Sequence, residues 1–331
     1  MRSKFFIFSF AGLFSLPGCQ SSSSGLDDNN AVEDTIEIAA FNSTGVSLVV
    51  LGNVQDAGSP QIGCQKKCCK ELYENPDNDR KVVSLGLIDH DNGKKYLFEA
   101  SPDMPAQIDL LNKMGGFDPT DTPDGVFLTH GHIGHYTGLM YFGKEAMNAQ
   151  EVPVYAMPRM TGFLTNHGPW SQLVIRKNIV LNPLKNDSAL YLSNQISVKP
   201  LLVPHRDEYT ETVGFQISGP NKSALFIPDI DKWDRWELSI DSLVERVDYA
   251  FLDATFYDGE EINSRDISEI PHPFIIESFA QFENMSEADK KKIHFIHFNH
   301  TNPVLNAESP QRTEISNRGF QFADYKLLIR L

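Results

Sequence analysis

The sequence predicts an α+β fold, a four-layer αββα sandwich in which two mixed sheets lie face to face with helices outside. Three observations carry that reading. Short apolar runs of strand character alternate with segments of helical spacing along most of the chain. A length of 331 residues with 41% apolar composition suffices to bury a large core. A dense histidine cluster, His130, His132 and His135, directly follows one of the apolar runs, which places it at a strand end.

The first residues stand apart from that fold. Arg2 and Lys4 precede an apolar run over residues 5–16, too short for an ordinary membrane span, and Leu16-Pro-Gly-Cys19 resembles a bacterial lipobox. Residues 1–19 are therefore expected to be a lipoprotein signal peptide. Cys19 would carry the lipid anchor, and the domain would lie in the periplasm or outside the cell. An ordinary secretory signal with a coincidental cysteine is the alternative. Residues 20–34, rich in Ser, Asp and Asn, read as a polar tether, and residues 35–331 as the folded domain.

Residues 35–52 suggest a strand hairpin, and residues 53–61 read as loop. Then come Cys64, Cys68 and Cys69, which with Cys19 are all the cysteines of the chain. An odd number cannot pair off, and a vicinal Cys68–Cys69 disulfide is strained. Three thiolates beside lysines, which lower thiol pKa, suit a structural zinc ion that needs one more ligand. Free or oxidised thiols are the other reading. Residues 82–88, 95–100 and 125–129 read as strands, 105–114 and 138–148 as helices, 153–157 as a strand and 160–167 as a helix. His167 at its end either borders a pocket or caps the helix. Strands follow over 196–203, 212–217, 223–227 and 247–255. Residues 260–273 form a charged loop fit to be a lid, with His272 a candidate to face substrate. A last strand starts at residue 292 and includes His294.

In an extended chain, side chains two apart project the same way, so His130 and His132 converge on one point, while His135 reaches a second from the following turn. Neutral imidazole is the commonest zinc ligand, and three at a strand end leave a position open for water. Three of ten histidines within six residues argue against scattered loop histidines. The formal charge of −15 argues against wrapping nucleic acid by bulk electrostatics, although a local basic groove stays open, and a small-molecule substrate is expected.

The run Val126-Phe-Leu-Thr-His-Gly-His-Ile-Gly-His-Tyr-Thr-Gly138 resembles the HxHxDH signature of the metallo-β-lactamase superfamily, with Gly134 where that family has aspartate. Together with Pro204-His-Arg-Asp-Glu208 it is most similar to the branch containing coenzyme PQQ synthesis protein B, from about residue 45 onward. The resemblance implies a first zinc held by His130, His132 and His205. A second would be held by His135, His297 and a bridging Asp229, with Asp231 as fallback. It implies that His300 completes the cysteine zinc site, although the family's spacing is CxCxxC and this chain has CxxxCC. Glu99 or Asp103 would reach the site or stabilise a turn, and Asp253 would stand behind the ligands. Arg206, Asp207 and Glu208 would orient His205, meet a charged substrate group or form a solvated turn.

The activity so implied is metal-dependent hydrolysis of an ester-like bond: phosphodiester, lactone, thioester or amide. Gly134 complicates it, because the second site then keeps three protein ligands, one shared. A weak or missing second metal is expected unless Asp207 or Asp231 substitutes, and Gly134→Asp is expected to strengthen the site. The alternative is a non-hydrolytic metal protein that binds a quinone-like or other small ligand.

Overall fold

The computed structural model describes residues 44–262, 266, 268 and 270–331, so the expected signal peptide and tether lie outside the described residues. In chain order the strands are β1 (Val46–Gly52), β2 (Ser84–Asp89), β3 (Lys94–Phe98), β4 (Gly125–Phe127), β5 (Val152–Ala156), β6 (Ile179–Pro183), β7 (Leu190–Tyr191), β8 (Ser197–Leu202), β9 (Val213–Ser218), β10 (Ser223–Ile227), β11 (Tyr249–Asp253), β12 (Ile293–Ile296), β13 (Gln321–Phe322) and β14 (Leu328–Arg330). One sheet runs β14-β1-β2-β3-β4-β5-β6 and the other β13-β12-β11-β10-β9-β8-β7. The helices are α1 (Lys67–Lys70), α2 (Met104–Gly115), α3 (Ile133–Tyr136), α4 (Pro158–Asn166), α5 (Trp170–Ile175), α6 (Ile240–Glu245), α7 (Ile275–Gln281), α8 (Glu287–Lys290) and α9 (Pro310–Asn317).

The period-two alternation of strand side chains builds the layers. In β1, Leu48 and Val50 enter the core between the sheets, while Val49 and Leu51 turn to the helix side. In β10, Phe226 faces the other sheet, and Leu225 and Ile227 pack outward. Strands covered on both faces read as continuous apolar runs, which is why their alternation is faint in the sequence. Phe98 stacks on Phe127 at 4.8 Å, and Phe215 from the opposite sheet meets both rings edge-on, at 5.6 and 5.7 Å. Outside the first sheet lie Leu111 of α2 and Met160 and Leu164 of α4. Ile240 of α6, Ile275 and Phe279 of α7 and Ile315 of α9 cover the second. The fold is the predicted sandwich. Among the described residues no helix is long and apolar enough to cross a membrane.

One element differs from expectation. Residues 138–148 form no α-helix: α3 passes into a 3-10 turn over Thr137–Phe142. Gly138 lies so close to the turn after β3 that a Cβ there would sit 2.9 Å from the Ala100 carbonyl oxygen, and Gly143 then takes an extended backbone (φ −65°, ψ 168°). Residues 35–43 of the expected opening hairpin lie outside the described residues; the rest of it holds β1, which pairs antiparallel with β2 and with the C-terminal β14.

Candidate metal centre

The site is assembled from strand ends. β10, β11 and β12 are parallel neighbours, so Asp229, Asp253 and His297 all emerge at one edge of the second sheet. His205 follows β8 and reaches the same edge. From the first sheet, β4 ends at Phe127 and leads through Thr129 to His130, and α3 starts with His132 as its N-cap and carries His135.

Ligand atoms of His130, His132, His205 and Asp229 lie within 4.8 Å of one another. His130 Nε2 is 2.9 Å from His132 Nδ1, and Asp229 Oδ2 is 3.3 Å from His130 Nε2 and 3.2 Å from His205 Nε2. Tetrahedral zinc with bonds of about 2.0–2.1 Å holds its ligand atoms roughly 3.4 Å apart, so the spacing suits one ion. A second group, Asp56, His135 and His297, meets the same 4.8 Å limit, and His135 Nε2 lies 3.7 Å from Asp229 Oδ2. Asp229 thus stands between the two groups.

The chemistry of these donors fits a cation. Nε2 of His135 and Nε2 of His297 are buried and make no hydrogen bond within the protein. Such atoms cost free energy unless something satisfies them. Burial, then the neighbouring His135, holds the His130 imidazole well below its usual range, so it is neutral and able to ligate. Burial opposes ionisation of Asp229, but His205 and His272 outweigh it and hold the carboxyl well below the usual range.

Two short relays aim the imidazoles. Thr255 Oγ1 donates to Asp253 Oδ1 (2.6 Å) and accepts from His297 Nδ1 (2.8 Å), leaving Nε2 to face the centre. Thr129 Oγ1 likewise donates to Glu99 Oε1 and lies 2.9 Å from His130 Nδ1. Glu99 is fully buried, with its Oε1 3.3 Å from His135 Nδ1, so of its two readings the site contact is the observed one. Asp103 instead accepts from the Val82 backbone, at 2.8 Å. His272 sits inside the centre, with Nδ1 2.9 Å from Asp253 Oδ2 and 3.2 Å from Asp229 Oδ1.

The carboxylates suggested as substitutes for Gly134 are elsewhere: exposed Asp207 pairs with Arg159 (3.4 Å), and Asp231 with Arg235 (2.9 Å). The residue in that place is Asp56, from a segment read as loop, and nothing in its local sequence marks it. The second group thus includes a carboxylate besides Asp229. Glu208 Oε2 is 3.5 Å from His132 Nε2 and borders, with Arg159, Phe163, His167 and Tyr209, a surface cavity of 440 Å³ beside the centre. His294 is a strand residue on β12, its ring 5.3 Å from that of Phe251.

The structure also brings Cys64, Cys68, Cys69 and His300 together, their ligand atoms within 4.8 Å of one another. The thiols are free, with Cys68 and Cys69 sulfurs 3.8 Å apart. Burial pushes the Cys68 thiol up to about 12, helped by the neighbouring thiols, and raises Cys69 as well. At Cys64 burial also opposes ionisation, but hydrogen bonds from the Lys66 backbone and the other thiols outweigh it and lower the pKa. The expected lowering by adjacent lysines does not extend to Cys68 and Cys69.

Residues 94–298 match the family model described as the beta-lactamase superfamily domain. The chain is 25% identical over 297 residues to coenzyme PQQ synthesis protein B of Klebsiella pneumoniae, covering 82% of this chain and 94% of that protein. It is 22% identical over 305 residues to the protein of the same name from Gluconacetobacter diazotrophicus, covering 83% and 96%. Among solved structures it resembles zinc-bound PqqB from Methylobacterium extorquens, with TM-score 0.68, 20% identity and coverage of 86% of this chain and all of that one. It also resembles a diphosphatase of the PhnP family, with TM-score 0.60, 21% identity and coverage of 86% and 97%.

Proposed function

This chain belongs to the beta-lactamase superfamily, and from that premise we propose that it is a zinc-dependent hydrolase of an ester-like bond in a small molecule. The observation that carries the reading is the convergence of His130, His132, His135, His205, His297 and Asp229, with the buried Nε2 atoms of His135 and His297 left without a partner in the protein. Zinc held there supplies Lewis acidity at the scissile group and lowers the pKa of water toward neutrality. The protein orients the imidazoles through Thr129 and Thr255, and it admits substrate from the cavity beside Glu208 and Tyr209. His272 is the proton carrier. With Nδ1 turned to Asp253, its Nε2 is the ring atom that passes a proton to the leaving group. A further zinc at Cys64, Cys68, Cys69 and His300 is assigned a structural role.

Metal analysis combined with turnover of a phosphodiester, a lactone, a thioester and an amide tests this proposal. Turnover of one of them, lost on chelation and restored by zinc, is expected. The likeness to coenzyme PQQ synthesis protein B favours a second reading, a metal protein that binds a quinone-like ligand. Bound zinc with no turnover of any substrate, and binding of a quinone, would select it.

We also propose that the chain is exported and lipid-anchored at Cys19, as Leu16-Pro-Gly-Cys19 suggests. Cys19→Ser is then expected to move the protein from the membrane to the soluble fraction. An unchanged distribution excludes the anchor.

A further inference from the structure

We infer that Asp56 is a ligand of the second metal, exchanged in space with Gly134, so that the carboxylate missing from the histidine motif is delivered from another part of the chain. The inference rests on the metal-centre reading above and specifies which residues complete it.

Two independent observations point to Asp56. Its carboxylate lies within 4.8 Å of ligand atoms of His135 and His297, whose buried Nε2 atoms have no partner in the protein. A Cβ built on Gly134 would overlap the Cβ of Asp56 and sit 2.5 Å from its Cα and 2.9 Å from its carbonyl oxygen. Gly134 lies in the right-handed turn of α3, where any residue fits the backbone, so space rather than conformation requires glycine there. The two positions exclude each other: a side chain at 134 and the loop at 56 cannot both occupy this place.

The main chain explains how a loop residue is held so close to the centre. Val54 is fully buried and bridges both Val82 and Phe298 in parallel. Gln55 N donates to Phe298 O at 2.8 Å, and Phe298 N donates to Asn53 O at 2.8 Å. Phe298 follows His297 directly, so this short ladder docks Asp56 beside that ligand. The Gln55 side-chain amide donates to Asp56 Oδ1. With Asp56 the second group has His135, His297, Asp56 and the shared Asp229, a donor set for one ion, and its negative charge compensates a second dication.

The test is a zinc titration of the metal-stripped full chain, with cobalt absorption to tell cysteine from histidine coordination. The wild type is expected to bind two ions at the histidine centre and one at the cysteines. Asp56→Asn, which keeps size and removes charge, should weaken one histidine-centre ion by more than about 100-fold, beyond what loss of an outer partner costs. The other two ions should bind as before. Gly134→Asp alone should gain no affinity, because the backbone and side chain of Asp56 already fill the place of a side chain at 134. If Asp56→Asn holds all three ions with unchanged affinity, or the wild type holds one ion at the histidine centre, Asp56 is not the ligand. If no ion binds at the histidines in any variant, the metal-centre reading itself falls.

Discussion

His297 adopts a left-handed backbone (φ 69°), and Glu99, which braces the opposite side of the centre, does the same (φ 76°). Such conformations cost free energy in non-glycine residues and persist where the surroundings impose them, here at the two turns that aim imidazoles into the site. The hydroxyl relays complete that aim. Thr255→Val keeps the shape but removes the oxygen that accepts from His297 Nδ1 and donates to Asp253. We expect zinc affinity at the centre to fall about 10- to 100-fold with the fold intact, as for other outer partners of metal ligands. A competitive chelator titration measures it, and unchanged affinity would show that His297 needs no relay. At this scale the sequence made the motif histidines legible, because their spacing is local. Thr255 and Asp56 were not legible, since what gives them a role is contact with residues far along the chain.

Strands and helices were legible where apolar runs were long, as in β8 to β12 and α2. They were misread over residues 138–148, where close approach of Gly138 to the β3 turn overrides helical spacing. The segment 257–262 shows another effect of tertiary context on a local element. Glu261 accepts from Thr301 Oγ1 (2.7 Å) and from the Tyr257 backbone (2.5 Å), tying the 3-10 turn Gly259–Ile262 to the segment that carries His300. Burial raises its pKa from 4.5 to about 7, with those hydrogen bonds opposing. Because the folded value lies above the unfolded one, its contribution to stability is fully present below pH 4.5 and is lost as pH rises through about 7. Glu261→Gln cannot ionise, so it is expected to stabilise the protein at pH 8 by on the order of 2–3 kcal/mol and to change it little near pH 4.5. Denaturant unfolding at both pH values measures the difference. An equal effect at the two would mean that ionisation of Glu261 is not what costs stability.

Across the whole molecule, the central strands of each sheet commit most of their residues to a core on one face or the other, and the site occupies the edge where the strands of both sheets end. That layered plan was legible from alternation and length, whereas the pairing of β1 with the C-terminal β14 was not, because sheet closure joins residues about 280 apart. Charge acts at the same scale. The chain carries a formal −15, and Arg159, the cation lining the cavity beside the centre, is already paired with Asp207. An anionic substrate therefore approaches against a repulsive long-range field, while a neutral one does not. Screening shortens the reach of that field from about 30 Å at 0.01 M salt to about 8 Å at 0.15 M. If the substrate is a phosphodiester, kcat/KM should rise across that range, with kcat nearly constant because the bound state is already inside the screened distance. A neutral lactone or ester should show a flat profile. Measuring both classes over the same salt series separates the field from general salt effects on the enzyme. A kcat/KM for the anionic substrate that falls with salt would mean that the bound cations, rather than the net charge of the chain, govern its approach.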